Sequence, residues 1–383
     1  MIEVVIVQYR LFHYRIRLFE MLRTRLHERG VELKLVVGQA SPSEVTRKDE
    51  GQLDWSLKVR NRFWSVGSRD LLWQPLPRAT RSTALRIVIQ ENRILSNYWL
   101  QLRRLFGGPQ LAFWGHGRNY QSTAPGGLRE RWKAWWLTRV DWWFGYTDDT
   151  RRHLESKGFD SARITVLNNA IDGTSFARDL EAVTPEQLVT ARAELGIAEQ
   201  AQVAIYCGSI YAEKRIDTLL ASADLLRQRL PDFHLLVVGE GPLGLSVRNA
   251  AKTRPWLHAL GIRTGSDKAL AYRLASVMLN PGLVGLHVVD AFVARTPLVT
   301  QASALHSPEY VYLVDGANGR VVHDDTVESY AQAVAEIFAQ PGVLAAMQAR
   351  CAQDALKYTL DAMADNFAAG VVACLRRAGH VIP

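Results

Sequence analysis

Short runs of β-branched and other apolar residues recur along this chain and alternate with stretches of helical spacing. The first half contains EVVIV (3–7), ELKLVV (32–37), RIVI (86–89), LAFW (111–114), DWWFGY (141–146) and ITVL (164–167). The second half contains QVAIYCG (202–208), FHLLVVG (233–239), VMLNP (277–281) and PLVT (297–300). Continuous apolar strands separated by helices indicate parallel sheets covered on both faces. The sequence therefore predicts two α/β sheets.

The interval 172–200 divides the two series of strands. It has no strand pattern and contains a charged, proline-containing helical stretch, as expected of a connection between domains. We therefore expect an N-terminal domain over 1–180 and a C-terminal domain over 195–360. Residues 361–377 follow as one amphipathic helix.

Composition excludes several classes of protein. Of the 383 residues, 48% are hydrophobic and 22% charged, which argues against disorder. No apolar run reaches the ~18 residues of a membrane-spanning helix. The three cysteines are far apart, so neither a disulfide framework nor a Cys-x-x-Cys metal site is expected. The N-terminus lacks the core of a signal peptide, and we expect a cytoplasmic protein.

The net charge of +8 is unevenly distributed. Residues 1–190 hold 29 Lys and Arg against 20 Asp and Glu, and ten of the eleven tryptophans lie in the first 150 residues. The stretch 128–143 mixes Trp with Arg and Lys, and further arginines stand near the N-terminus: Arg10, Arg15, Arg17, Arg23 and Arg25. Such a composition is typical of a peripheral face on an anionic membrane. Alternatively, Trp132, Trp135 and Trp136 belong to the core and the arginines are ordinary solvated residues.

Two segments of the second half have the form of phosphate-binding turns. In 203–217, a predicted strand and a glycine turn are followed by Lys214, Arg215 and a predicted helix. The two positive charges and the N-terminus of the helix would favour binding of an anion at this turn. Residues 239–244, GEGPLG, match Gly-x-Gly-x-x-Gly but lack the following acidic residue of an NAD site. We interpret them as a tight strand-to-helix turn.

Polar residues follow other predicted strands. In the run 277–301, a predicted strand ends at Asn-Pro-Gly, and a loop with Gly285 leads into a predicted helix that contains Asp290. The Asp290 carboxylate could accept hydrogen bonds from the hydroxyls of a ribose. Glu309 follows within 306–322. In the first half, His116 stands between two glycines at a strand end, where ligands bind in open α/β sheets. A lone histidine is more often structural than catalytic.

In their order and spacing, NNAID (168–172), GSIYAEKRID (208–217), LLVVGEGPL (235–243), NPGLVGLHVVDAF (280–292) and DGANG (315–319) resemble retaining glycosyltransferases of family 4. The sequence also resembles a branch of this family that builds bacterial surface polysaccharides. It implies the GT-B fold, in which two Rossmann-like domains face each other across a cleft. It also implies a C-terminal domain that binds a nucleotide-sugar, an N-terminal domain that binds the acceptor, no metal, and a last helix (361–383) that crosses back to the first domain.

The resemblance also implies roles for individual residues. Lys214 would bind the donor diphosphate beside the phosphate-loop residues Gly208 and Ser209. Asp290 would bind the ribose. His116 would lie near the transferred sugar and act in catalysis. The remaining donor-binding positions are Arg215, Gly282, Gly285, Leu286 and Glu309, and residues 8–14 replace the glycine-rich acceptor loop of the family.

Three positions depart from the family pattern. The first Glu of its Glu-x7-Glu motif falls on Gly282, the second is shortened to Asp290, and the usual phosphate-loop Arg is Ser209. Arg215 or Arg118 would supply the missing positive charge. His306, with Glu309, would supply part of the polarity of the donor site.

We therefore expect a glycosyltransferase that uses a UDP- or GDP-sugar and a lipid-linked saccharide acceptor in surface polysaccharide or lipopolysaccharide synthesis, without a cofactor. The alternative is an inactive nucleotide-sugar or anionic-lipid binding protein of the same fold. No Asp-x-Asp motif or histidine pair indicates a metal. Nucleic acid is not an expected partner, because no recognition motif accompanies the basic charge.

Overall fold

The computed structural model describes residues 1–41, 44, 50–66, 69–117 and 135–382. It divides the chain into two compact units. Unit 1 comprises Met1–Ile171 and Leu360–Pro383, and unit 2 comprises Asp172–Thr359.

The strands in the described residues form two parallel sheets and a separate hairpin. Unit 1 has a seven-stranded sheet of order β3-β2-β1-β6-β7-β8-β9 and a two-stranded β4-β5 hairpin, and unit 2 has a six-stranded sheet of order β12-β11-β10-β13-β14-β15. The strand bounds are β1 Ile2–Gln8, β2 Val31–Val37, β3 Leu57–Lys58, β4 Arg62–Val66, β5 Arg69–Trp73, β6 Leu85–Ile89, β7 Gln110–Gly115, β8 Trp142–Gly145, β9 Ile164–Val166, β10 Gln202–Cys207, β11 Phe233–Val238, β12 Leu257–Gly261, β13 Val277–Leu279, β14 Leu298–Gln301 and β15 Gly319–Val322.

Helices follow most strands of both sheets. Their bounds are α1 Ile16–His27, α2 Leu95–Arg104, α3 Asp148–Ser156, α4 Thr174–Ala182, α5 Pro185–Glu194, α6 Ile216–Arg229, α7 Gly244–Ala251, α8 Gly265–Leu274, α9 His287–Val293, α10 Val327–Ala339, α11 Pro341–Lys357 and α12 Leu360–Arg377. The alternation of strand and helix produces the parallel pairing, because a parallel neighbour requires a crossover connection. The prediction of two α/β sheets is confirmed.

Helix α12 completes the core of unit 1. Its Phe367 ring stacks on Phe144 of β8 at a centroid distance of 4.6 Å. Arg25 of α1 donates to the carboxylates of Asp361 and Asp365 at 2.8 and 2.6 Å. The C-terminal helix is therefore packed into unit 1 although unit 2 separates it from that unit in sequence.

The interval expected to connect the domains is part of unit 2. It holds two helices, and the second begins with a capping box between Thr184 and Gln187. Phe176 of α4 packs edge-on against Tyr272 of α8 at 5.2 Å. Because α4 is anchored in this way, the division falls at Asp172 and not at residue 180.

Candidate active site

The strand order of unit 2 places two loops beside each other at the carboxyl edge of its sheet. The order reverses direction between β10 and β13, which pair in parallel through Ala204–Val277 and Ile205–Met278. Open α/β sheets bind ligands in the crevice at such a reversal. Here the crevice is flanked by 208–215, after β10, and 280–286, after β13.

Glycines let the loop after β11 contact the loop after β10. A Cβ atom on Gly239 would overlap the carbonyl oxygen of Gly208, and one on Gly241 would overlap that of Ile210. The Gly208 amide donates to the Val238 carbonyl at 3.0 Å. The glycines of 239–244 therefore serve loop packing, in agreement with a tight turn, and α7 begins at Gly244.

Lys214 ends a short 3₁₀ helix and is turned inward, with an exposed fraction of 4%. Its Nζ donates to the Leu283 carbonyl and lies 3.5 Å from Nδ1 of His287. Burial lowers the pKa of the Lys214 ammonium from 10.5 to about 7, and the nearby Cys207 thiol acts weakly in the opposite direction. Since a neighbouring anion would restore the charge of this amine, Lys214 is suited to bind a phosphate.

Gly282 lies against the turn that carries Lys214. A Cβ atom on Gly282 would overlap the backbone of Glu213 and Lys214, and the Leu283 amide donates to the Glu213 carbonyl at 2.8 Å. A glutamate side chain does not fit at this position in the present backbone. The departure from the family motif at Gly282 thus coincides with close packing of the two loops beside the crevice.

Arg215 holds the same turn from the other side. It adopts a left-handed conformation with φ of 53°, and its Nη1 donates to Gln301 Oε1 at 3.0 Å and Ser303 Oγ at 2.9 Å. It also forms an ion pair with Asp325. Nη1 of its guanidinium is therefore engaged by residues of unit 2 itself.

Asp290, predicted to bind a ribose, lies in the first turn of α9 and is largely buried. Its Oδ2 accepts from Nζ of Lys268 in α8 at 2.8 Å. The Lys268 ammonium also lies 4.3 Å from the centre of the Phe176 ring. Sequence reasoning missed Lys268, because nothing in the local pattern of α8 connects it with a residue 22 positions later.

The predicted polar residues near 306–309 support the loop after β13. His306 Nδ1 accepts from the Val284 amide at 3.1 Å, and its Nε2 lies 2.9 Å from the Gln301 carbonyl oxygen. Burial is the main cause that lowers the pKa of His306 to about 4. Glu309 is buried within a 3₁₀ helix.

Gly285 and Leu286 form the end of this loop before α9. A Cβ atom on Gly285 would have Ser307 Oγ, at 3.5 Å, as its nearest neighbour, so packing does not demand glycine there. Leu286 is the N-cap of α9. Gly285 is buried, and the contact that joins this loop to the Lys214 amine is made by the Leu283 carbonyl.

In unit 1, His116 follows β7 at the carboxyl edge of the sheet and is exposed. Gly117 adopts φ of 66°, and the His116 ring lies 4.6 Å from that of Tyr146. The buried Arg15 lies over the same Tyr146 ring at 5.6 Å and donates to Asn169 Oδ1 at 2.8 Å. Desolvation of the imidazole by neighbouring protein atoms is the main cause that lowers the pKa of His116, and the positive charge of Arg15 lowers it further. The imidazole is therefore neutral near pH 7.

The arginines near the N-terminus do not form one basic surface. Arg10 and Arg15 are buried at 2% and 4% exposure, and Arg25 is bound by Asp361 and Asp365, whereas Arg17 and Arg23 are exposed. The prediction that Arg10 and Arg15 face a membrane is wrong, because the loop after β1 folds both into unit 1.

The basic Trp-rich stretch is described only in part. Trp132 and Arg118 lie outside the described residues, while the Trp135 side chain is 47% exposed and Trp136 packs edge-on against Tyr98 at 5.2 Å. None of the helices in the described part of the chain is long and apolar enough to cross a membrane. Among the residues that the structure describes, no group of three or more His, Cys, Asp or Glu side chains could hold a metal ion.

Solved structures identify the class of fold. A crystal structure of HepE from Anabaena in complex with UDP matches with a TM-score of 0.67 at 12% identity and covers 97% of this chain and 100% of that chain. At this identity the match concerns the fold alone. The fold is GT-B, built from two Rossmann-like units, as the sequence predicted.

Sequence matches identify the domain in unit 2. Residues 201–340 match the family model described as "Glycosyl transferases group 1". D-inositol 3-phosphate glycosyltransferase from Mycolicibacterium gilvum is 29% identical over 192 residues, 47% of this chain and 40% of that protein. Alpha-monoglucosyldiacylglycerol synthase from Acholeplasma laidlawii is 25% identical over 161 residues, 40% of this chain and 39% of that protein. The matches thus span about two fifths of these relatives, and the part of unit 2 over 201–340 is similar to the group 1 glycosyltransferase domain.

Proposed function

We propose that this protein is a retaining glycosyltransferase of family 4 that uses a nucleotide-diphosphate sugar. The observation that carries the proposal is the buried Lys214 amine, which donates to the Leu283 carbonyl of the loop after β13, within the residues that match the group 1 glycosyltransferase model. A diphosphate bound there would gain a cation and backbone donors in a site from which water is largely excluded. HepE, of the same fold, was crystallised with UDP, which agrees with a uridine nucleotide donor.

The proposed reaction keeps the anomeric configuration. The acceptor hydroxyl attacks the anomeric carbon on the face from which the nucleotide leaves, while the bond from that carbon to the diphosphate oxygen breaks. The electron pair of that bond goes to the diphosphate, which also receives the proton of the acceptor hydroxyl. Lys214 stabilises the negative charge that develops on the leaving diphosphate.

His116 and Asp290 have supporting roles in this proposal. The neutral imidazole of His116 donates a hydrogen bond to the transferred sugar without placing a second cation near the anomeric carbon. Asp290 accepts from a ribose hydroxyl while Lys268 holds its carboxylate in place at 2.8 Å. No step requires a metal or a cofactor.

We propose that the acceptor is a saccharide on a lipid, in bacterial surface polysaccharide or lipopolysaccharide synthesis, and that unit 1 associates with the inner face of an anionic membrane. Helix α2 and the turn after it support this. Their exposed apolar residues are Trp99, Leu102, Leu105 and Phe106, with exposed fractions of 50%, 43%, 68% and 89%. Trp99 and Leu102 are three residues apart and share one side of α2, and Leu105 and Phe106 lie in the turn that follows it.

Basic residues accompany these apolar side chains. Arg103 is exposed on α2, and the Arg139 guanidinium lies 4.7 Å from the centre of the Trp135 ring. Gln101 holds that segment beside α2 by donating to the Trp136 carbonyl at 2.7 Å. Exposed aromatic and aliphatic groups with neighbouring cations favour insertion at the headgroup level of anionic lipid.

Incubation with radiolabelled UDP- and GDP-sugars and a bacterial lipid extract tests the proposed activity. We expect label to enter the lipid fraction with one donor, and Lys214→Ala to abolish that transfer while its far-UV spectrum is unchanged. Undiminished transfer by Lys214→Ala would remove the role of this amine. Donor binding with neither transfer nor donor hydrolysis would favour the alternative, an inactive nucleotide-sugar binding protein.

A thermal-shift screen of the same donors identifies the base. A ligand at 100 times its dissociation constant stabilises the folded state by about 2.7 kcal/mol. We expect a rise in melting temperature with one of the two nucleotides. No shift with any UDP- or GDP-sugar would contradict the proposed donor site.

A further inference from the structure

The β4-β5 hairpin of unit 1 stands outside the seven-stranded sheet and has no counterpart among the strands predicted from sequence. Its register pairs Arg62 with Trp73 and Trp64 with Leu71. An antiparallel pair of this length is marginal in water unless other contacts hold it. The hairpin must therefore be stabilised by the remainder of unit 1.

Two buried amides fasten the base of the hairpin to the loops at the carboxyl edge of the sheet. Asn61 Nδ2 donates to the Tyr9 carbonyl at 2.6 Å and to the Gln39 carbonyl at 2.8 Å. On the other strand, Gln74 Nε2 donates to the Gln8 carbonyl at 2.7 Å. Because Gln8 ends β1 and Gln39 follows β2, the hairpin is attached at the edge of the sheet at which ligands bind in such folds.

The two faces of the hairpin differ in their surroundings. Phe63 and Leu72 belong to a small apolar cluster with Tyr9 and Ile94. Successive side chains of a strand point to opposite faces, so Arg62 and Trp64 lie on the other face. There the Trp64 side chain is 48% exposed.

An open groove of about 700 Å³ lies along β4, and its described lining consists of residues 59–64 and Pro75. Arg60 and Arg62 are exposed in this lining, and neither guanidinium has a hydrogen bond or ion pair with another described residue. The groove therefore combines two available guanidinium groups with the exposed indole of Trp64, on a base that Asn61 fixes.

We propose that this groove binds an anionic saccharide, which is the charged part of the acceptor. A guanidinium offers paired N–H donors that match a carboxylate or a phosphate. The electron-rich face of an indole attracts the C–H groups on the flat side of a sugar ring. This inference rests on the proposed transferase function, whose acceptor it describes as a uronate-containing or phosphorylated saccharide.

Direct binding tests the groove without any transfer reaction. Saturation-transfer NMR with glucose, glucuronate and glucose 6-phosphate compares three similar rings that differ in charge. We expect at least one anionic sugar to bind about tenfold more tightly than glucose, and Arg60→Gln/Arg62→Gln to remove the difference. Which of the two binds distinguishes a carboxylate from a phosphate.

The double variant Arg78→Gln/Arg81→Gln is the matched control. Both arginines are exposed in unit 1 and lie close to Ala79 in sequence. The Ala79 carbonyl accepts a hydrogen bond from Lys34 at 3.1 Å, and Lys34 forms an ion pair with Glu3 at the amino end of β1. The two arginines therefore lie at the opposite edge of the sheet. Trp64→Ala should lower affinity for the bound sugar and Trp64→Phe should recover most of it, because an aromatic face is restored.

The outcomes separate this inference from the proposed function. The proposed role of the groove would be refuted if the wild type bound all three sugars equally. It would also be refuted if Arg60→Gln/Arg62→Gln kept the preference for the anionic sugar. Transfer to the lipid extract measured on the same variant gives the second readout. Normal transfer by this variant at limiting acceptor would also refute the role of the groove. If the wild type binds an anionic sugar selectively but transfers no label, only the proposed transferase function is refuted.

Discussion

If Lys214 binds the donor diphosphate as proposed, donor binding depends on pH, in a direction that follows from the burial of this amine. With 4% of its surface exposed, its pKa is lowered from 10.5 to about 7. At 1.36 kcal/mol per pKa unit, the protonated form is disfavoured by roughly 5 kcal/mol relative to water. Near neutral pH the empty site therefore holds a mixture of the charged and neutral amine.

A bound nucleotide-sugar changes this balance, because its diphosphate is fully ionised and favours the protonated amine. Binding above about pH 7 must then take up a proton from solution. We expect the dissociation constant of the donor to rise by up to tenfold per pH unit above about pH 7, until the pKa of Lys214 in the complex is reached. Below about pH 6 the affinity should no longer depend on this group.

Isothermal titration calorimetry from about pH 6 to about pH 9, in two buffers of different ionisation enthalpy, counts the protons taken up. UDP-glucose is a suitable ligand, since it has no phosphate group that titrates in this range. Lys214→Arg is the control, because a guanidinium stays charged and binding should then be nearly independent of pH. An equally flat profile without proton uptake in the wild type would refute the contact between Lys214 and the diphosphate.

The same lowered pKa affects folding in the absence of donor. The unfolded chain keeps the Lys214 proton up to about pH 10.5, whereas the folded chain loses it above about pH 7. The free energy of unfolding should therefore rise with pH through this interval and be lowest below pH 7. Lys214→Met, which removes the buried cation, should flatten this part of the profile in urea unfolding and raise stability at pH 6.

Further predictions concern three other parts of the molecule. Gly282→Ala should cost about 1–3 kcal/mol of stability, since its Cβ overlaps the Lys214 turn, and an unchanged melting temperature would contradict that packing. His116→Asn should lower turnover with a normal thermal shift from the donor, whereas loss of that shift would make the residue part of donor binding. Leu105→Ser/Phe106→Ser should reduce co-sedimentation with phosphatidylglycerol vesicles, while Leu245→Ser, which replaces an exposed leucine of unit 2, should not. Equal loss in both would assign the effect to general hydrophobicity.

Much of the fold could be predicted because its strands are continuous apolar runs. The strands predicted for the two parallel sheets are present, with small differences at their ends. For example, the strand predicted over 202–208 is observed as β10 over Gln202–Cys207. The β4-β5 hairpin and the strands β3, β12 and β15 were missed. Each is short, and β12 contains His258, Ala259 and Gly261 and lacks a strong β-branched pattern.

The candidate site could be predicted as a set of residues but not as a set of contacts. The sequence indicated Lys214, Arg215 and Asp290 as polar groups near a nucleotide. It could not indicate that Asp325 and Gln301 engage Arg215, or that Lys268 pairs with Asp290. These partners lie 22 to 110 positions away, and no local periodicity connects residues so far apart.

The sequence by itself determined the two α/β sheets, the glycine turns after their strands and the polar residues at the strand ends. These follow from interactions among neighbouring residues, namely the alternation of apolar runs with helical spacing. Only the tertiary structure decided that Arg10 and Arg15 are buried, that Gly282 has no room for a glutamate, and that Arg60 and Arg62 line a groove with Trp64. The burial, charge and orientation of a side chain depend on which distant segments pack against it, and that is a property of the folded chain.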